Sequence, residues 1–150
     1  MGLVVTGILM IVGALLLHGR WDGVAGRVGT VLMSVAGACV VVVGLTPWNL
    51  NPDLHDVAAI TQALAQWLAM LLLARAAGSG LFRQLTVATV TVSVLGFFVF
   101  LSALEGVNIP FVGFGVAERL AFDSLTLWVA ITGSAVLVSN GKAQQRMESC

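Results

Sequence analysis

The sequence predicts an all-α fold, a polytopic transmembrane helical bundle of five spans. Two observations carry that prediction: five long apolar runs separated by short polar breaks, and a marked scarcity of charge. Only 9% of the 150 residues are charged and 59% are hydrophobic, whereas a soluble domain carries about 25% charged residues. Mean hydropathy is +1.02. Seven basic residues balance seven acidic ones, so there is no basic field to attract nucleic acid, and nucleic-acid binding is set aside.

A helix that crosses the hydrocarbon needs roughly 20 apolar residues. The runs place helices at about 3–18, 28–45, 55–74, 85–104 and 118–138, in a single transmembrane domain covering 1–150. The first, LVVTGILMIVGALLL, is the shortest and is closed by HGRWDG. The second ends at TPWNLNPDLHD, where Pro47 removes a backbone donor, and the third restarts after Pro52 with Asp53 as its expected N-cap. ARAAGSGLFRQ separates the third from the fourth, and EGVNIPFVGFGVAER the fourth from the fifth. Asn140 and Gly141 are expected to stop the last helix.

Cys39 sits within an apolar run and Cys150 at the terminus, a pair that predicts neither a disulfide nor a metal site. MGLVVT matches the myristoylation pattern formally, but it leads straight into apolar sequence. Neither lipidation nor a removable signal peptide is expected.

Orientation follows the basic residues. Arg20 and Arg27, Arg75 and Arg83, and Lys142 and Arg146 occupy breaks that must share one side, which the positive-inside rule makes cytoplasmic. Asp53, Asp56, Glu105, Glu118, Asp123 and Arg119 fall on the other. The N-terminus is therefore expected outside, the C-terminus inside, and TPWNLNPDLHD outside. The expected localisation is the bacterial cytoplasmic (inner) membrane, multi-pass. An outside N-terminus without a polar leader points to a shortened chain, or to a start inside a longer reading frame.

In lipid, helices associate through small residues and shared hydrogen bonds. Gly26, Thr30, Ser34 and Ala38 on the second helix, and Thr86, Thr89, Ser93 and Gly96 on the fourth, read as packing stripes. The third helix aligns His55, Ala59, Gln62, Gln66 and Ala69, and its two amides require partners inside the bundle, where interhelical hydrogen bonds would serve. The fifth aligns Arg119, Asp123, Thr126, Ala130 and Gly133, with an ion pair expected between Arg119 and Asp123. Trp48, Phe111 and Phe114 fit an outer aromatic belt, and Trp21 and Phe82 an inner one.

Phosphate-cradling glycine loops, nucleophile elbows and Cys/His-rich metal motifs are absent from the sequence. The chemistry-bearing residues at two helix starts are His55, Asp53 and Asp56, and Glu118, Arg119 and Asp123. They are expected to line an outward polar pocket, with His55, Asp56, Gln62, Glu118, Arg119 and Asp123 as binding residues. No metal or cofactor is expected. The alternative is a membrane enzyme acting on a lipid head group, with His55 as acid or base, Asp56 beside it and Arg119 holding the anion. A small transporter is a third reading, disfavoured because no deep charge or broken helix lies near the bilayer centre.

Two stretches resemble a known family. VGLTPWNLNPDLHDVAAITQALAQWLAMLLLA, with Gly44, Pro47 and His55, is similar to the hallmark of the DUF998 family of bacterial integral membrane proteins. GVAERLAFDSLTLW, with Gly115, Arg119 and Trp128, resembles that family's Gly-x-x-x-Arg helix start and following Trp. The resemblance implies about six spans with the Pro/His loop and the Arg helix on the outer face. It implies no activity, because the family's function is not established. Thr46 departs from the aromatic common before Pro47, and the family's first span is missing on this alignment.

The sequence therefore predicts a non-enzymatic integral membrane protein, an accessory subunit or a binder of a lipid or small molecule. Its partners are the lipid bilayer and either a homo-oligomer or a larger membrane complex.

Overall fold

The computed structural model describes residues 2–21, 23–78, 80–107 and 112–148, with side chains to residue 135. Five α-helices follow one another: α1 (Gly2–His18), α2 (Gly23–Leu45), α3 (Pro52–Ala77), α4 (Gly80–Leu104) and α5 (Phe114–Glu148). Three of them, α2, α3 and α4, are long and apolar enough to cross a membrane. α1 is apolar but has 17 residues, which at 1.5 Å per residue span about 25 Å.

The helices outrun the apolar windows at most of their ends. α2, α3 and α4 each start before the predicted residue: Arg27 lies inside α2 and Arg83 inside α4, arginine being a good helix former, and Pro52 opens α3. α5 also runs through Asn140 and Gly141 to Glu148, so the expected stop there is corrected. Gly costs about 1 kcal/mol in a helix interior, and the following run KAQQRME consists almost wholly of good helix formers that sustain the helix.

Helix ends that do stop are capped. α4 closes in a Schellman motif: Gly106, at φ 82°, donates its N–H to the Ala103 carbonyl, and Val107 donates to that of Ser102. Gly78, at φ 66°, ends α3 in the left-handed conformation.

The chain divides into two compact units, residues 1–90 and 91–150. In the first, α1 packs on α2 and α2 on α3. The α1–α2 contact is glycine against glycine. A Cβ on Gly7 would lie 2.5 Å from the Gly37 carbonyl oxygen, and one on Gly37 would lie 2.8 Å from that of Gly7. Near one end of this pair, Gly44 faces Val4 and Leu3 as closely. On the other side of α2, Gly29 meets Leu73 and the Ala69 carbonyl of α3.

The packing line of α2 is Gly26, Gly29, Thr30, Met33, Ala36, Gly37 and Val40. Of the predicted stripe, Gly26 and Thr30 are buried, Ser34 is half-buried and Ala38 is exposed. A strict step of four advances 400° on a helix of 3.6 residues per turn, so the stripe drifts off the contact face. The α4 stripe, with mixed steps of three and four, holds better: Thr86, Ser93 and Gly96 are buried and Thr89 is half-buried.

In the second unit, Gly96 approaches the α5 backbone at Leu120 and Ala121, and Ser93 Oγ donates to the Ala121 carbonyl at 2.5 Å. Phe122 meets Phe97 and Phe100 edge-on, both with centroids 6.2 Å apart. Phe100 also meets Phe114 at 4.9 Å. Burial on α5 follows Ala117, Ala121, Leu125 and Trp128.

Candidate functional site

The α2–α3 turn is built by proline and asparagine. Pro47 cannot donate, so α2 stops, and the Val42 carbonyl near its end receives both the backbone N–H and the hydroxyl of Thr46, at 2.8 and 2.6 Å. Leu50 N–H then donates to the Pro47 carbonyl at 2.8 Å. Asn51, not Asp53, is the N-cap: its side-chain oxygen accepts from Leu54 N–H at 3.1 Å. The correction follows from Pro52, whose fixed φ suits the first helical position, so the cap must precede it. Asp53 sits in the first turn of α3, where a carboxylate meets the positive end of the helix dipole.

His55 ties this turn together. Its Nδ1 lies 2.8 Å from the Thr46 carbonyl oxygen, which can only accept, so Nδ1 carries the proton and donates. In the neutral ring, Nε2 is then the basic atom. The bond reaches across nine positions, from the first turn of α3 to the end of α2. Because the acceptor is backbone, the side chain at position 46 is not what receives it. His55 is half-buried, and Asp53 and Asp56 are exposed on the same helix start.

Below His55, the predicted line turns inward: Ala59 is half-buried, and Gln62, Gln66 and Ala69 are buried. Gln62 Nε2 donates to Gln66 Oε1 at 2.9 Å, one turn apart. This bond runs along α3, and Gln66 makes a further interaction besides it. It satisfies a Gln62 donor in apolar surroundings and ties that amide into the packed interior.

Glu118, Arg119 and Asp123 belong to the second unit. Arg119 pairs with Asp123 as its spacing predicts, at 3.5 Å, with both side chains largely exposed, 79% and 67%. Thr126, Ala130 and Gly133 continue this exposed face, while Trp128 lies on the packing face. Trp48 is 61% exposed, as a belt residue would be, and Phe114 is 47% exposed. Phe111 lies outside the described residues.

The second histidine, His18, was not among the residues expected at a site. His18 Nδ1 lies 2.6 Å from Thr30 Oγ1, and Thr30 Oγ1 donates its one proton to the Arg27 carbonyl. The imidazole must therefore donate to the hydroxyl, which fastens the end of α1 to the start of α2. The signal lay in the α1–α2 pairing, which brings positions 18 and 30 level.

Among the described residues, no three His, Cys, Asp or Glu side chains gather closely enough to hold a metal ion. Comparison with curated proteins and with solved structures finds no match. A family model described as "Protein of unknown function (DUF998)" does match, over residues 1–135, and so takes in the glycine-packed α1–α2 pair, the His55 turn and the Arg119 helix start. The chain belongs to the DUF998 family.

Proposed function

We propose that this is a non-enzymatic, multi-pass protein of a bacterial cytoplasmic membrane, with the α2–α3 turn on the outer face as a binding surface. Five helices cross in this reading, the N-terminus is outside and the C-terminus is cytoplasmic. The distribution of Arg20, Arg27, Arg75 and Arg83 against Asp53 and Asp56 supports that orientation. It is tested by single cysteines at Asn49 and Gly78: modification of Asn49→Cys from outside and Gly78→Cys from inside is expected. Labelling of both from one side would overturn it.

The observation that carries the binding reading is the His55–Thr46 bond. It holds the imidazole in one tautomer, with Nε2 as acceptor, on a helix start that also exposes the carboxylates of Asp53 and Asp56. A turn of acceptors suits a ligand that presents donors, such as an ammonium-bearing lipid head group. Within the second unit, Arg119, in its exposed pair with Asp123, suits an anionic group.

The probe is phosphatidylethanolamine against phosphatidylcholine in mixed nanodiscs, with retained lipid counted by native mass spectrometry. Preferential retention that Asp56→Asn and His55→Asn weaken is expected; equal retention by wild type and variants sinks the reading. The same Nε2 favours the enzyme alternative in one respect, since a basic atom on an oriented ring is what a general base needs. Release of a head group by wild type, and its loss in His55→Asn, would replace the accessory reading by that one.

A further inference from the structure

The opposite end of the first unit differs in chemistry. There the end of α1, the start of α2, the end of α3 and the start of α4 come to one level, because α1–α2 and α2–α3 are antiparallel neighbours and α4 follows α3 after a short turn. Four arginines belong to this end, Arg20, Arg27, Arg75 and Arg83, and Asp22 follows Trp21 in the sequence. The other acidic residues of the unit, Asp53 and Asp56, sit at the far end of α3.

Arg27, Arg75 and Arg83 are exposed. The backbone beneath Arg27 is fixed by the relay from His18 through Thr30 to the Arg27 carbonyl, and Trp21 is wedged against Gly26. The same helix ends also expose apolar side chains: Leu16, Val24 and Leu81 are 74%, 77% and 68% exposed.

We propose that this end binds anionic phospholipid, with Arg27, Arg75 and Arg83 contacting the head-group phosphates and Leu16, Val24 and Leu81 lying against the acyl chains. Guanidinium groups pair with phosphate through parallel hydrogen bonds. A free phosphate would use the arginines alone, whereas a phospholipid uses both halves of the rim. The site is separate from the His55 turn; it rests on the membrane insertion that the proposed function includes, and not on binding at that turn.

The test uses the full chain in nanodiscs of phosphatidylcholine doped with phosphatidylglycerol, with retained lipids counted by native mass spectrometry. Wild type is expected to retain phosphatidylglycerol preferentially, with affinity falling about fivefold for each arginine replaced by glutamine. The triple variant Arg27→Gln, Arg75→Gln, Arg83→Gln should lose the preference, and the triple Arg→Lys variant should keep most of it. Equal retention of both lipids by wild type, or an unchanged preference in the folded triple Gln variant, overturns the proposal. Should that variant fail to fold, wild type alone decides: retention must fall as salt rises, and salt-independent retention refutes it. Displacement of the lipid by inorganic phosphate at matched ionic strength would identify a free-phosphate site and overturn the lipid assignment.

Discussion

His55 donates from Nδ1 to the backbone carbonyl of Thr46, nine residues earlier, and so clasps the start of α3 to the end of α2. The bond persists whether the ring is neutral or protonated, because protonation adds a proton at Nε2 and leaves Nδ1–H in place. Structural and chemical roles can therefore be separated. His55→Ala should lower stability by about 1 kcal/mol, read as a lower melting temperature in detergent. His55→Asn, whose amide N–H can reach the same carbonyl, should recover most of that while removing the basic atom.

The Asn51 cap makes a sharper local prediction. Asn51→Ala should cost about 1 kcal/mol, Asn51→Asp should be nearly silent, and Asp53→Asn should cost only a few tenths through the helix dipole. Thermal melts that rank Asp53 above Asn51 would restore the assignment made from sequence.

Gly7 and Gly37 bring the α1 and α2 backbones together. Gly7→Val should force the helices apart and destabilise the first unit by roughly 1–3 kcal/mol. Gly13→Val serves as the control, since nothing lies within 4 Å of a Cβ there. Equal melting of the two variants would contradict the packing.

Gln62→Leu makes α3 more apolar, yet it should destabilise by about 0.5–1.5 kcal/mol, because Gln66 Oε1 loses the donor that it accepts from at 2.9 Å. A higher melting temperature for the variant would show that hydrophobicity outweighs the amide bond.

The exposed Arg119–Asp123 pair should matter little to stability. Arg119→Ala is expected to shift it by less than about 1 kcal/mol. A large loss of assembly instead would mark Arg119 as a structural tie, and recovery in the charge-swapped double variant would locate that tie in the pair itself.

The sequence alone determined the all-α membrane class, the number and order of the helices, the Arg119–Asp123 pair and the inward turn of Gln62 and Gln66. Apolar run length and residue spacing along one helix are local quantities, and each of these follows from them. Tertiary structure decided what depends on neighbours. It showed that Asn51 caps α3 and that His55 reaches Thr46. It showed that His18 is fastened to Thr30, and that α2 packs along the line through Gly29, Met33 and Gly37, not through Ser34 and Ala38. A one-helix pattern of four cannot register the 3.6-residue turn against a second helix, and the partner of a ring nitrogen is known only when the chain has brought a carbonyl within reach of it.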